Sequence, residues 1–504
     1  MTAQQPPKKV SVQRSMVRGS IWTIGVRWSL RLMGLVSTVI LARLLTPADY
    51  GIVTIASMIV LMVEVLSQTG QSAAIVRHPN PTREHYDSAW TVSLLLGIAL
   101  GLIVWALTPI TIAYFHEPRA KLVVEILAFR IMLHGSQNIG VVNFQRNLQF
   151  NKQFWFNVTP SLVSFAVTIA AALVLRNYWA LVIGIMCQHV TTFTLSYAME
   201  PYRPRLCFTK VREIWAFSIW SLCTRIGEFL SNQSDRVAIG GFAGAAAMGR
   251  YYVATDVATS PSKELVGPMV SVMFPVMAAV QHDSEKRREL YLTVLYWSAL
   301  ICTSTAIGVA LIADDMVDLV LGSQWEDVKP LMPWLALSYG VLGMGSSVYT
   351  ALNTINQPRV SARLQWTRLI GTASTIFPVA YYFRDLEAVA ATRLLVTIAI
   401  TPTLFFALMK PFGLSARDFA VTLWRPLTAG LMMALVVLGL NSAISFTGNL
   451  RLLLDMAVGA IAYGGTLMAL WVAIGQPDGP ERAIWQRAVS IASRCYSLMT
   501  RNTH

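Results

Sequence analysis

Apolar residues occur along this chain in long blocks, not in the alternating or one-face patterns of a soluble domain. The blocks recur from Ile21 to Ala473, for example at 91–108, 161–175, 292–312, 427–440 and 453–474. Many approach the ~20 residues an α-helix needs to cross the hydrocarbon core of a bilayer. Short charged, Pro-containing or Gly-containing stretches separate them. Breaking the chain at this punctuation predicts 14 spans, near 17–42, 50–75, 88–114, 121–143, 154–175, 178–198, 214–242, 247–279, 291–313, 329–352, 361–383, 387–409, 421–441 and 452–474. The expected fold class is an all-α polytopic membrane protein. Composition agrees: 55% of the 504 residues are hydrophobic and 13% charged, against about 25% charged in a soluble domain.

The formal charge of +14 raises the question of nucleic acid, and its distribution answers it. With the N-terminus in the cytoplasm, 23 of the 40 Lys and Arg fall in one set of connections, including Lys8, Lys9, Arg203, Arg205, Lys286, Arg287 and Arg288. The opposite connections hold seven: Arg43, Arg119, Lys121, Arg176, Lys329, Arg384 and Arg451. The remaining ten lie within or at the ends of spans. That asymmetry is the positive-inside pattern for an even number of spans with both termini cytoplasmic, so nucleic acid is not an expected partner. The N-terminal arm reads as a cytoplasmic lead into the first span and not as a signal peptide. At the other end, Trp485, Val489, Ala492 and Tyr496 share a helical face, as in a helix lying on the membrane surface.

The chain also repeats itself. "SIWTIGVR" (20–27) and "SIWSLCTR" (218–225) match at an offset of 198 (218 − 20). Ungapped, the register continues through Val39/Val237, Ala48/Ala246, Gly51/Gly249 and Ala56/Ala254. The offset covers six spans, so both copies keep the same orientation: a parallel repeat about an axis along the membrane normal. The expected organisation is an N-terminal lobe (1–198), a cytoplasmic linker (199–213), a C-terminal lobe (214–410), two appended spans (411–475) and an amphipathic tail (476–504).

A charge at the centre of a membrane helix costs roughly 2.5–3.5 kcal/mol on the insertion scale, so such residues normally face a protein interior or a wet cavity. Arg225, Glu228, Asn232, Asp235 and Arg236 form one stripe of span 7. Further polar positions are Arg27 and Arg31 in span 1; Glu64, Gln68 and Gln71 in span 2; Arg130, His134, Gln137 and Asn138 in span 4; Asp256, Ser260, Lys263 and Glu264 in span 8; and Arg368 and Arg393 in spans 11 and 12. Candidate ligands for an anionic substrate are Arg27, Arg31, Arg130, His134, Arg225, Asn232, Lys263 and Arg368, because guanidinium donors match phosphate oxygens. Candidate sites for ion coupling are Glu64, Glu228, Asp235 and Asp256. The competing reading is internal ion pairing, such as Arg225 with Glu228 or Glu64 with Arg31.

Catalytic and cofactor chemistry is not expected. "DDMVD" (Asp314, Asp315, Asp318) has the letters of a metal–diphosphate motif but occurs once, in an acidic connection. The sequence holds no HExxH, GxSxG or Walker A pattern. The five cysteines (Cys187, Cys207, Cys223, Cys302, Cys495) are scattered, without metal or disulfide spacing. Neither an enzyme nor a cofactor or metal site is predicted.

Three stretches resemble the Wzx-type polysaccharide flippases, a branch of the MOP (MATE-like) exporter superfamily, nearest to the branch of the colanic-acid exporter. "GSIWTIGVRWSLRLMGLVSTVILARLLTPADYGIVTIA" (19–56) is similar to that family's first span and its Arg-Leu-Leu-x-Pro-x-Asp-Tyr-Gly turn. "LVLGSQWEDVKPLMPWLAL" (319–337) resembles its Gly-x-x-Trp segment, and "NTINQPR" (353–359) its Asn-containing loop. The resemblance implies two six-helix lobes around a cavity open to one side at a time. It implies an undecaprenyl-diphosphate-linked oligosaccharide as substrate, carried to the periplasmic leaflet of a bacterial inner membrane for exopolysaccharide or O-antigen synthesis. H⁺ or Na⁺ and a polysaccharide polymerase are the further partners to test for. A cation-coupled drug exporter is the alternative, and its expected acidic or aromatic cavity fits the arginine excess less well. A membrane glycosyltransferase would need a large external loop, and none is evident.

Overall fold

A computed structural model describes residues 12–67, 71, 75–76, 78, 80–214, 219–280, 282–443, 449–476 and 482. Among them the regular elements are all helical. The long helices are α1 (Val12–Leu44), α2 (Pro47–Glu64), α3 (Arg83–Phe115), α4 (Ala120–Gly135), α5 (Phe150–Leu175) and α6 (Trp179–Met199). Ile219–Ala279 follows, broken at Gly244 into α7 (219–243) and α8 (245–279). The series ends with α9 (Ser284–Leu311), α10 (Leu331–Thr354), α11 (Pro358–Phe383), α12 (Leu386–Phe412), α13 (Ala416–Ala443) and α14 (Asn449–Ala473). Each expected span falls on one of these fourteen segments. Nine helices among the described residues are long and apolar enough to cross a membrane. Nearly all of the expected tail lies outside the described residues.

The break at Gly244 has a local cause. Its φ of +86° and ψ of 177° lie where a side chain is strained and glycine is not. One continuous apolar stretch therefore becomes two helices.

Backbone contacts divide the chain into two compact units, Met1–Arg250 and Tyr251–His504. In the first unit, the turn between α1 and α2 shows what its sequence is for. Leu45 is fully buried. Thr46 caps α2: its hydroxyl accepts from the Asp49 amide at 3.3 Å, and its own amide donates to Asp49 Oδ2 at 2.9 Å. Pro47 follows at the first helical position, where its missing N–H costs nothing. The other Asp49 oxygen accepts from the Tyr178 amide at 3.0 Å, tying the turn to the start of α6.

Gly51 then meets the start of α8. A Cβ on Gly51 would sit 1.8 Å from the carbonyl oxygen of Ala245, and a Cβ on Gly249 would sit 1.9 Å from that of Pro47. Both cross-pairs carry the repeat offset: 245 − 47 = 198 and 249 − 51 = 198. The contact is self-complementary in the manner of a two-fold interface, and it is a backbone-to-backbone approach of the kind small residues permit between membrane helices.

On the other end of this unit, segment 200–214 is strapped along the first turns of α3. The amides of Arg205, Cys207 and Lys210 donate to Asp87 (2.8 Å), the Thr91 hydroxyl (2.9 Å) and the Ser88 hydroxyl (3.2 Å). Asn138, fully buried, donates to the carbonyls of Glu200 (3.2 Å) and Tyr202 (2.7 Å). An irregular segment must have its peptide groups met somewhere, and these side chains meet them.

The second unit is built on an apolar cluster in which Met273 and Met277 of α8, Tyr291 and Leu295 of α9, Val348 and Leu352 of α10, and Leu404, Leu408 and Phe412 of α12 are buried together. Helix α13 adds Phe419 to this cluster, and α13 and α14 also pack on α9. Ala429, Met433, Tyr463 and Leu467 pack on Leu300, Ile307 and Leu311, and the Tyr463 hydroxyl donates to the Leu300 carbonyl at 3.0 Å. The Gly-x-x-Trp segment is also accounted for. Gly322 takes φ +91° and turns the chain, so that Trp325 is fully buried.

Gly51→Ala and Gly249→Ala should each destabilise the detergent-solubilised protein by about 1–3 kcal/mol, because the added methyl meets backbone. Gly34→Ala, with open space around it, should be neutral or slightly stabilising. Thermal unfolding of the three variants checks this, and equal midpoints would contradict the tight crossing.

Candidate functional site

The polar positions of the membrane helices divide into two kinds. In the first unit, Arg130 of α4 is 8% exposed and pairs with Glu64 at the end of α2 through its Nη2. The partner of Glu64 is thus Arg130, a neutral combination that offsets burial within the protein. Gln71 is buried, and its carbonyl accepts from the Ser93 hydroxyl. His134 is exposed, and His189 of α6 lies within electrostatic reach of both Arg130 and His134. Asn138 anchors segment 200–214 and is no part of a cavity lining.

The stripe on α7 does not keep one environment. Arg225 and Glu228 are exposed, Asn232 is half-buried, and Asp235 is 1% exposed. Arg236 donates to the Gln233 side chain at 2.9 Å. Glu228 forms no salt bridge among the described residues, so the Arg225–Glu228 pair is not made. Arg31 is half-buried on α1. The side chain of Arg27 and residue Gln68 lie outside the described set.

In the second unit the cations converge. Tyr339 of α10 carries two positive groups on its ring: Lys263 Nζ of α8 lies 4.7 Å from the ring centroid and the Arg393 guanidinium of α12 lies 4.8 Å from it. Arg393 is 2% exposed and donates from Nη2 to the Tyr339 hydroxyl at 3.3 Å. Lys263 is exposed, and the Tyr339 ring is its contact among the described residues. The floor is polar as well: the Ser338 and Thr397 hydroxyls are 3.3 Å apart. Tyr339 lies eight residues into α10 and Arg393 seven into α12, about 10–12 Å along each helix and inside a ~30 Å hydrocarbon core.

Cation–π contacts of this kind contribute up to about 2 kcal/mol when desolvated. The two cations are at most 9.5 Å apart (4.7 + 4.8). At an effective dielectric constant of about 20 they repel by about 2 kcal/mol. An anion seated between them removes that repulsion and gains from both charges. Elsewhere in this unit, Arg368 and Gln365 of α11 are buried, with Gln365 Oε1 unbonded among the described residues. Asp256 is half-buried and accepts at its carbonyl from Ser260.

The sequence pointed to Lys263 and Arg368 as ligands and to Arg393 as a buried charge of span 12 outside the ligand set, and it left Tyr339 out. Tyr339 lies in "ALSYG", where an aromatic residue carries no polar signal. Only the fold places it between the cations.

Two other features lie outside the helices. Asp315 and Asp318 of helix Ala313–Val320 pair with Arg451 (3.5 Å) and Lys329 (2.8 Å), so the Asp-rich stretch is an ion-paired connection. Burial raises the Asp315 carboxyl above the usual range. A cavity of about 410 Å³ lies beside segment 200–214, lined by Arg83, Tyr86, Pro201, Tyr202 and Arg203. There burial, and then the Asp87 carboxylate that accepts its proton, raise the Tyr202 phenol.

Residues 40–330 match a family of known proteins described as "Polysaccharide biosynthesis protein". The chain is 25% identical over 460 residues to the succinoglycan biosynthesis transport protein ExoT of Rhizobium meliloti (strain 1021), covering 89% of this chain and 92% of that protein. It is 24% identical over 431 residues to the lipopolysaccharide biosynthesis protein WzxC of Escherichia coli (strain K12), covering 83% and 86%. In fold it matches the lipid II flippase MurJ in an inward closed conformation, with a TM-score of 0.73 at 14% identity over 91% of this chain and 99% of MurJ.

Lys263→Met keeps the volume on the Tyr339 ring and removes one of two repelling charges. It should leave thermal stability unchanged or raise it by about 1–2 kcal/mol. A loss of more than about 1 kcal/mol in thermal unfolding would make Lys263 a structural residue.

Proposed function

This chain belongs to the polysaccharide biosynthesis protein family, and from that premise we propose that it flips a lipid-linked oligosaccharide across the bacterial inner membrane. The substrate is a polyprenyl-diphosphate carrier bearing a short glycan, moved from the cytoplasmic to the periplasmic leaflet for export as exopolysaccharide or O-antigen. Both termini are cytoplasmic in this reading, as the distribution of Lys and Arg supports. The mechanism is alternating access between two repeat-related lobes, spans 1–6 and 7–12, with the last two spans appended. No covalent chemistry is required of the protein.

The observation that carries the proposal is the pair of cations on Tyr339. Arg393 sits inside an apolar helix and is nearly inaccessible, a position whose cost is retained only where the charge has work to do. A diphosphate supplies two adjacent anionic groups, and two cations up to 9.5 Å apart on one ring can share them. Arg393 binds from the closed side through its planar fork, while the flexible Lys263 stem follows the phosphates as they move. Arg368, buried on α11, is assigned to the same substrate.

The acids split by environment. Glu64 is a structural partner of Arg130. Asp235, buried on α7, and Asp256 are the groups to which H⁺ or Na⁺ coupling is assigned, and Glu228 is exposed on the same helix as Asp235. A drug exporter for organic cations would place acids or bare aromatic rings where this chain places Lys263 and Arg393.

Binding of a short-chain polyprenyl diphosphate to the purified protein, followed by native mass spectrometry, tests the assignment. Arg393→Gln should weaken binding about 10-fold to 100-fold, the value of a charged hydrogen bond, and Arg393→Lys should lose less. The monophosphate analogue should bind more weakly to wild type and respond less to the substitution. Equal affinity of wild type and Arg393→Gln for the diphosphate would contradict the site.

A further inference from the structure

Where segment 200–214 is strapped to α3, two imidazoles and a carboxylate meet. His78 precedes α3, His85 lies in its first turn, and Glu213 lies in the short helix Val211–Ile214. One ligand atom from each lies within 4.8 Å of the other two. We propose that these three residues form a site for a divalent transition cation of the zinc class, which clamps segment 200–214 onto α3.

The second observation is an unmet nitrogen. His78 Nδ1 is buried and has no hydrogen-bond partner among the described residues, while its ring lies 4.5 Å from that of His85. Such a nitrogen has lost water without replacement, and a bound cation restores a partner.

His85 is already aimed. Its Nδ1 is held by Thr82, 2.7 Å from the hydroxyl and 3.1 Å from the backbone amide. That leaves Nε2 facing Glu213 Oε2 at 3.1 Å. The other Glu213 oxygen accepts from Lys210 Nζ at 2.7 Å, which fixes the carboxylate without occupying the oxygen that faces the histidines. These bonds hold the ring and the carboxylate in place, as outer hydrogen bonds do around a metal ligand, while the Thr82 amide keeps the His85 proton on Nε2 as long as no metal is bound. On metal binding the His85 proton moves from Nε2 to Nδ1, where the Thr82 hydroxyl accepts it and the Thr82 amide gives up its bond to that nitrogen; no proton is lost overall.

The donor set selects the metal. Two imidazoles and one carboxylate suit zinc, nickel or copper, whereas magnesium and calcium take oxygen ligands. With zinc–ligand bonds of about 2.0–2.2 Å, tetrahedral ligand atoms are about 3.5 Å apart, so each need move by no more than about 1 Å. Water supplies the fourth position, and the half-exposed Glu213 provides the way in.

The full-length protein, purified in detergent and stripped with a chelator, should take up one equivalent of zinc from a chromogenic zinc indicator. His78→Gln and Glu213→Gln should each weaken zinc binding about tenfold or more, while excess magnesium chloride should leave it unchanged. Glu213 is exposed, so Glu213→Gln keeps the test valid if His78→Gln does not fold. No zinc uptake by wild type, or uptake unaltered in Glu213→Gln, would overturn the proposal. Neither result bears on transport of the lipid-linked glycan, which is measured separately.

Discussion

A charge carried into hydrocarbon must be satisfied by the protein itself, because lipid offers neither water nor counter-ion. This chain meets that constraint in two ways. In the first unit Arg130 and Glu64 neutralise each other. In the second unit Lys263 and Arg393 both lie against one neutral ring. The ring's quadrupole reduces the cost of each cation. A protein selected for stability alone would have replaced one of them with an apolar side chain.

The same economy governs the backbone. Helices α2 and α8 cross through Gly51 and Gly249, each against the carbonyl of the other's preceding turn. The two contacts are related by the offset that relates the sequence repeat. The crossing is self-complementary. Segment 200–214 needs a different solution, since it is irregular up to the short helix Val211–Ile214, and Asp87, Ser88, Thr91 and Asn138 supply the missing partners.

The helices were legible because block length and hydropathy carry the signal for a membrane span, and each block lies on a helix. The turn at 43–51 was legible as a family resemblance, and its capping geometry now explains the residues. Less of the site was legible. A helical stripe assumes one environment along a helix, yet α7 passes from exposed Arg225 to buried Asp235. Asn138 has the polarity of a cavity residue but binds a neighbouring segment. Tyr339 gives no polar signal, and His78, His85 and Glu213 are too far apart in sequence for spacing to join them.

The central claim is transport of a lipid-linked glycan through a cationic site. The most direct measurement is transbilayer movement of a polyprenyl-diphosphate oligosaccharide in proteoliposomes, read by its accessibility to an external glycan-cleaving enzyme. Wild-type protein should expose inner-leaflet substrate, and Arg393→Gln should slow that exposure about tenfold or more while inserting equally well. Movement no faster than in protein-free vesicles, or equal rates for wild type and Arg393→Gln, would contradict the account.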